Sequence, residues 1–264
     1  MIITTQELPE FCKINNSIYD VNSTEEAYSF VKYITRKHYE NFAVGSLLIP
    51  SSIAKYFFSI YAFARVADNI ADELTLVTSR NEANKYLTQF ENNLISLFDS
   101  NIVLEIKNPI FLALKDTIIS NNLTIDPFSR LITAFRSDIF FKTPADFNEL
   151  FDYCHNSANP VGELILSLFK ENTPQAIHFS NSICTALQLI NFWQDLSIDL
   201  RRNRCYIPQN LINHQTDPEF YYNYFVTIDS DRLKNILDVC YSITAEKLED
   251  GKKIIQNIND FRLK

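Results

Sequence analysis

Residues 61–73 read YAFARVADNIADE, a stretch in which Asp68 and Asp72 lie among largely apolar neighbours. The two aspartates are four positions apart, so on an α-helix they share one face, about 6 Å apart along the helix axis. A helix that is apolar nearly all round is typical of a buried position, where carboxylates without partners would be costly. The sequence therefore predicts a buried helix whose carboxylates are compensated by arginine, lysine or a metal ion.

A second stretch of the same kind lies further along the chain. Residues 188–199 read QLINFWQDLSID and place Asn191, Asp195 and Asp199 at helical spacing i, i+4 and i+8. Such oxygen ligands suit Mg²⁺, which keeps several waters and completes its shell with substrate phosphates. Either stretch alone could be a salt-bridged helix with incidental acids. Two of them, each with arginines close by in sequence, favour an Mg²⁺–diphosphate site.

The rest of the sequence favours an all-α architecture. Only three glycines occur in 264 residues, which is few for a β-rich or Rossmann-type protein. Apolar periodicity, proline and capping residues predict one helical domain over residues 1–264. The predicted helices cover 23–38, 50–72, 79–98, 109–121, 127–141, 144–156, 160–169, 174–200 and a last one from Ser230, with an irregular stretch from Pro208 to around Pro218.

Charge and cysteine content exclude some classes of function. The net charge is −8 without a basic block, which argues against nucleic-acid binding. Five cysteines without a CxxC motif are typical of core residues in a reducing compartment. The sequence has neither a signal-peptide pattern nor an apolar stretch of about 18 residues, so we expect a cytoplasmic protein. Contact with a membrane surface stays open.

Five stretches together resemble one enzyme family. Residues 61–73 resemble the aspartate-rich motif of the squalene/phytoene synthases, and residues 188–199, followed by Arg204, Tyr206 and Pro208, resemble that family's second motif. Three more stretches resemble the hydroxysqualene synthase branch of bacterial hopanoid biosynthesis: ENF at 40–42, YCHNSANPVG at 153–162 and ALQLINFWQD at 186–195. The resemblance covers roughly residues 25–215.

The resemblance implies an all-α isoprenoid-synthase bundle around a central cavity. In that fold Asp68 and Asp72 would lie on one wall of the cavity. Asn191, Asp195 and Asp199 would lie opposite, and both sets would hold Mg²⁺ that bridges to the diphosphate of a prenyl or presqualene diphosphate substrate.

The resemblance also assigns substrate contacts. Arg65 and Arg204 match family arginines that contact diphosphate, while Tyr61 and Gln188 match positions that line the reaction cavity. Asn41 occupies a position at which relatives often carry a phosphate-binding serine.

Tyr206 and Asn156 complete the predicted substrate-binding set. Asn156 also helps to decide which reaction the enzyme catalyses. Squalene synthases carry at position 156 a tyrosine implicated in the first half-reaction. Its absence favours an enzyme that converts presqualene diphosphate and water to hydroxysqualene without NADPH, with a presqualene diphosphate synthase as partner. Head-to-head condensation of prenyl diphosphates and a non-catalytic assembly role are the alternatives.

Three features of the chain depart from the family pattern or allow two interpretations. Asn69 stands where the motif usually has a second aspartate. The family typically continues for some tens of residues past the equivalent of Lys264, so we expect a shortened C-terminus that leaves the cavity partly open. Trp193 is either a core residue or part of the cavity lining.

Overall fold

Every regular element that the computed structural model describes is a helix, so the all-α prediction is confirmed. The described residues are 19–37, 49–99, 106–212 and 218–263. They group into two compact units. Unit 1 takes the described residues of Met1–Ile139 with Ser167–Lys170, and unit 2 those of Phe140–Leu166 and Glu171–Lys264. The single domain over 1–264 stays a prediction.

Unit 1 is built around one central helix, α2. Its helices are α1 (Thr24–Lys37), α2 (Ser51–Asp72), α3 (Leu74–Val77), α4 (Arg80–Phe98), α5 (Pro109–Asn121) and α6 (Asp126–Ile139). Helix α2 packs against α1, α4, α5 and α6. The ring of Phe63 stacks on Phe90 at 5.1 Å and meets the edge of Phe128 at 5.5 Å between centroids. Burial on most sides explains why residues 61–73 are so apolar.

Unit 2 is organised by the packing of two long helices. It contains α7 (Phe147–Ser157), most of α8 (Asn159–Phe169), α9 (Pro174–Gln194), α10 (Leu196–Arg201), α11 (Pro218–Thr227) and α12 (Ser230–Gly251), with 3₁₀ turns at Gln209–Leu211 and Lys252–Gln256. Helices α9 and α12 lie side by side. The indole Nε1–H of Trp193 donates a hydrogen bond to Thr244 Oγ1 at 2.9 Å, and Trp193 is only 6% exposed. Trp193 is thus a core residue.

The close approach of α9 and α12 depends on Gly251. A Cβ atom at this position would lie 2.4 Å from Ile183 Cγ1 and 3.0 Å from the Ile183 backbone nitrogen. Real Cβ atoms do not tolerate the first distance, and the backbone atom cannot move aside as a side chain can. Glycine is therefore the residue that lets the end of α12 pack on α9.

Several helix bounds differ from the sequence-based prediction. The predicted helix over 174–200 is two helices, because α9 ends at Gln194 and α10 begins at Leu196. The prediction of an irregular stretch around Pro218 is wrong from Pro218 onward, where α11 begins, because proline is well suited to a first helical position; residues 213–217 lie outside the described ones. Helix α7 begins at Phe147 because the Asp146 carboxylate caps it, accepting from the N–H groups of the second and third residues of the helix.

Candidate functional site

The predicted site residues of α2 form one stripe along the helix. Between residues 61 and 72 the half-buried positions are 61, 64, 65, 68 and 72, and all the others are buried. This stripe contains Tyr61, Arg65, Asp68 and Asp72, and we refer to these four residues as the acidic stripe of α2. The helix is buried as predicted, but its two carboxylates are not, because they lie on the side that the unit 1 core leaves open.

Position 69 shows why the missing aspartate of the motif has little effect on the stripe. Asn69 is 3% exposed, so it is not one of the half-buried positions that form the stripe. A neutral amide costs less free energy to bury than a carboxylate would at the same position. The Asn69 departure therefore leaves the partly exposed pair of carboxylates unchanged.

Arg65 is placed to bind an anion. Its Nη1 donates to Asp68 Oδ2 at 3.3 Å, and both side chains are about a third exposed, at 32% and 33%. Its Nε is buried and has no hydrogen-bond partner among the described residues. A buried donor without an acceptor carries a free-energy penalty that an oxyanion would remove.

Tyr61 remains a neutral phenol beside this arginine. Burial raises the pKa of its hydroxyl above the usual 10.0, and the charge of Asp68 raises it further, while the charge of Arg65 lowers it. A neutral phenol can donate a hydrogen bond, as a phenolate cannot. The acidic stripe therefore offers two carboxylates, a cation and a hydroxyl donor on one helix face.

A second stripe runs along α9 and into α10, and it consists of Gln188, Asn191, Asp195 and Asp199. Asn191 and Asp195 are exposed, while Gln188 and Asp199 are half-buried. The amide of Asp195 donates to the Asn191 carbonyl and the amide of Asp199 to the Asp195 carbonyl, both at 2.9 Å. The i, i+4 hydrogen bonds thus continue across the break between the two helices, and Asn191, Asp195 and Asp199 keep helical spacing.

Arg204 and Tyr206 lie in the segment that follows α10. The Arg204 amide donates to the Asp199 carbonyl at 2.9 Å. The Tyr206 ring stacks on Phe192 with a centroid distance of 3.7 Å and an interplanar angle of 9°, and it is 7% exposed. The ring is therefore part of the unit 2 core and anchors the segment to α9. A contact of Tyr206 with substrate stays a prediction.

Two other predicted site residues belong to neither stripe as defined above. Asn156 lies on α7, where its Nδ2 donates to the Asp152 carbonyl at 3.0 Å. Asn41 lies outside the described residues. Sequence reasoning did not identify the stacking partner Phe192 or the unpaired Nε of Arg65. Aromatic residues are usual in any core, and a missing acceptor is visible only in three dimensions.

The donor chemistry of the two stripes fits Mg²⁺. In the described ranges no cluster of three or more His, Cys, Asp or Glu side chains could hold a metal ion. Each stripe offers two carboxylates, and the second adds the amide oxygens of Gln188 and Asn191. Because Mg²⁺ is usually bound through one or two carboxylates plus waters and substrate phosphates, these donor sets are of the kind it uses beside a phosphate ligand.

An all-α protein with carboxylate pairs and an under-bonded arginine has the features of a metal-dependent diphosphate-binding enzyme. The chain belongs to the squalene/phytoene synthase family, whose sequence profile matches residues 35–264. Members of this family act on prenyl diphosphates and use a divalent metal ion.

Individual relatives include enzymes of two branches of the family. The chain is 34% identical to the hydroxysqualene synthase of Zymomonas mobilis subsp. mobilis over 176 residues, 66% of this chain and 56% of the relative. It is 30% identical to the phytoene synthase of Mycobacterium tuberculosis over 187 residues, 70% of this chain and 59% of the relative. The chain therefore spans less than two thirds of these relatives' lengths.

Solved structures confirm the isoprenoid-synthase fold. The crystal structure of squalene synthase HpnC from Alicyclobacillus acidocaldarius matches with a TM-score of 0.80 and 30% identity, covering 91% of this chain and 87% of that one. A dehydrosqualene synthase in complex with ligand matches in fold, with a TM-score of 0.74 at 22% identity, over 90% of this chain and 80% of that one. None of the described helices combines the length and apolarity needed to cross a membrane.

Proposed function

We propose that the protein catalyses the Mg²⁺-dependent conversion of presqualene diphosphate and water to hydroxysqualene and diphosphate. The observation that carries the proposal is the likeness to squalene synthase HpnC, at 30% identity over 91% of this chain. The 34% identity with a hydroxysqualene synthase supports the same branch. The two stripes supply the polar groups that such a reaction needs.

The carboxylates of both stripes and the side-chain amide of Asn191 are the proposed metal ligands. Asp68 and Asp72 of α2, together with Asn191, Asp195 and Asp199 of α9 and α10, would bind Mg²⁺. When bound, Mg²⁺ neutralises the charge that develops on the leaving diphosphate.

Arginine and tyrosine side chains assist the departure of the diphosphate. The unpaired Nε of Arg65 donates to a diphosphate oxygen, and Arg204 contributes a second positive charge. The Tyr61 hydroxyl, held neutral by its raised pKa, is available to donate a hydrogen bond. Each of these interactions strengthens as negative charge builds up on the leaving group, which lowers the barrier to ionisation.

The reaction is balanced without a redox cofactor. The C–O bond to diphosphate breaks and leaves a carbocation. A water oxygen then forms the new C–O bond after rearrangement of the carbon skeleton, and the water releases one proton. Gln188, beside Asn191 on the second stripe, is the proposed side chain that faces the substrate. No hydride is transferred, so NADPH is not required.

Head-to-head condensation of prenyl diphosphates is the second candidate, favoured by the 30% identity with a phytoene synthase. It uses the same diphosphate chemistry but joins two substrates. Asn156, at a position where squalene synthases carry tyrosine, supports the first candidate.

Labelled water separates the two candidates. The purified chain is incubated with Mg²⁺ in H₂¹⁸O with either presqualene diphosphate or farnesyl diphosphate, and products are identified by mass spectrometry. We expect ¹⁸O-labelled hydroxysqualene from the first substrate and no turnover of the second. Turnover of farnesyl diphosphate alone would refute the proposal. The Asp195→Asn variant should be inactive, and Asp238→Asn, an exposed carboxylate on α12, is the matched control.

The proposed setting follows from the substrate. A C30 diphosphate and its alcohol product are apolar enough to partition into membranes. We therefore propose a cytoplasmic protein that works at a membrane surface and receives its substrate from a presqualene diphosphate synthase.

A further inference from the structure

Three helix ends share one unusual backbone conformation. In the ranges that the structure describes, φ is positive at three residues other than glycine: Asn122 at 53°, Lys170 at 62° and Asn203 at 57°. This left-handed region is costly for most L-residues and least so for asparagine, aspartate and glycine. Where a residue other than glycine adopts it, the surrounding hydrogen bonds must stabilise the turn.

The turn at Asn203 is a Schellman motif, the common helix ending closed by two backbone hydrogen bonds. The Asn203 amide donates to the Leu200 carbonyl at 3.1 Å, and the Arg204 amide donates to the Asp199 carbonyl at 2.9 Å. The turn at Asn122 has the same pair of hydrogen bonds, with Leu123 donating to Ile118 at 3.0 Å.

The two turns differ in the residues joined by the longer-range hydrogen bond. In a Schellman motif these two positions usually carry apolar side chains that contact each other. The turn at Asn122 follows this pattern, since Ile118 and Leu123 are buried at 6% and 7% exposure. In the turn at Asn203 the same two positions are Asp199 and Arg204, and both are half-buried.

We infer that Asn203 is a positioning residue, whose left-handed conformation sets the Arg204 side chain beside Asp199. The inference rests on the proposed function, in which Asp199 binds Mg²⁺ and Arg204 binds diphosphate. The Asn203 side chain is exposed, so what it contributes is its backbone conformation.

The segment beyond the turn is also held in place. Two residues after Arg204, the Tyr206 ring is stacked on Phe192 of α9. Arg204 is therefore fixed on one side by the hydrogen bond to Asp199 and on the other by the anchored ring. A change of φ at Asn203 would break the first of these while leaving the second, and by this inference it would move the Arg204 side chain away from Asp199.

Backbone-specific substitutions test the inference. Asn203→Gly keeps the left-handed conformation accessible, whereas Asn203→Val, with a β-branched side chain, disfavours it. Asn122→Gly and Asn122→Val impose the same changes on the matched turn of unit 1. The readouts are the affinity for inorganic diphosphate in the presence of Mg²⁺ by calorimetry, kcat and KM with presqualene diphosphate, and the thermal midpoint Tm.

The expected results distinguish an effect on the placement of Arg204 from a general loss of protein stability. Asn203→Val should weaken binding of Mg²⁺–diphosphate and lower kcat by about tenfold each, while Asn203→Gly stays within about twofold of the wild type for both. Asn122→Val should lower Tm by about as much as Asn203→Val does. It should leave the affinity for Mg²⁺–diphosphate and kcat within about twofold of the wild type. If Asn203→Val does not fold, Asn203→Ala, which tolerates the conformation better, should give the same pattern at about threefold.

Each contrary result has a distinct meaning. Equal diphosphate affinity and kcat in the valine and glycine variants at Asn203 would overturn the inference, as would wild-type protein that binds no Mg²⁺–diphosphate. Wild-type protein that binds Mg²⁺–diphosphate but does not turn over presqualene diphosphate would refute the proposed function alone. In that case the calorimetric comparison still decides the role of Asn203.

Discussion

The ion pair between Arg65 and Asp68 allows the functional role of the acidic stripe of α2 to be separated from its structural role. The perturbation is Asp68→Asn, which keeps the size and shape of the side chain and removes its charge. The proposed function requires this carboxylate as a metal ligand. In the fold it is one partner in a partly exposed ion pair with Arg65.

The expected effect on stability is small. The two side chains are 32% and 33% exposed and the N–O distance is 3.3 Å, so solvent screens the pair. Such pairs contribute about 0.2–1 kcal/mol to the free energy of unfolding. In a chain of this size that corresponds to a decrease in Tm of at most about 4 °C. Arg65 also stays partly solvated, so the variant does not leave a fully buried, unpaired charge.

The expected effect on catalysis is large. Removing one group that stabilises the leaving diphosphate costs about 10²–10³-fold in kcat in enzymes that rely on electrostatic stabilisation. The assay is the initial rate of hydroxysqualene formation from presqualene diphosphate at saturating Mg²⁺, with Tm measured on the same preparation. Asp126→Asn is the matched control, because Asp126 forms a 2.9 Å ion pair with Arg130 in the same unit and is 71% exposed.

Two results would refute the reasoning. If Asp68→Asn retained more than about a tenth of the wild-type kcat at saturating Mg²⁺, the acidic stripe would not be a metal site. If Tm fell by much more than in Asp126→Asn, the carboxylate would be a structural element, and the loss of activity would carry no information about Mg²⁺.

Three further predictions concern unit 2. Thr244→Val removes the acceptor of the buried Trp193 N–H and should lower the free energy of unfolding in urea by about 1–3 kcal/mol; additivity with Trp193→Phe in a double-mutant cycle would contradict the coupling. Gly251→Ala places a Cβ 2.4 Å from Ile183 Cγ1 and should lower the free energy of unfolding by about 1–3 kcal/mol. An unchanged Tm would contradict this prediction. Burial raises the pKa of Cys205 from 9.0 to about 12, so above pH 9 the unfolded chain loses a proton that the folded chain keeps, and stability falls as pH rises. Cys205→Ala should reduce the fall in urea midpoint between about pH 8 and pH 10.5, and an identical fall would refute this.

Much of the helical architecture could be predicted from local signals. Capping residues mark helix starts correctly, because a side-chain acceptor at the N-cap satisfies amides that the helix itself leaves unpaired. Ser79 Oγ accepts from the Glu82 amide at 3.2 Å, and Asn108 Oδ1 accepts from the Ile110 amide at 2.9 Å, each at a predicted boundary. Such signals act over three or four residues, so one sequence suffices to read them.

Other features depended on contacts that are distant in sequence. The break at Asp195 was missed because residues 174–200 keep apolar periodicity throughout. The buried state of Asn69 and the partial exposure of Asp68 were missed for a related reason. Which side of a nearly all-apolar helix stays open depends on where its neighbours pack.

The acidic stripe of α2 and the second stripe along α9 and α10 show which features the sequence determines and which depend on tertiary structure. The sequence by itself determined that the carboxylates lie at helical spacing within apolar helices and that the motifs are those of the squalene/phytoene synthases. Only tertiary structure decided that the α2 carboxylates lie at the edge of the unit 1 core and that Arg65 Nε has no acceptor among the described residues. Spacing along a helix is a local property of the backbone. Burial and hydrogen-bond satisfaction depend on which surfaces the rest of the chain covers.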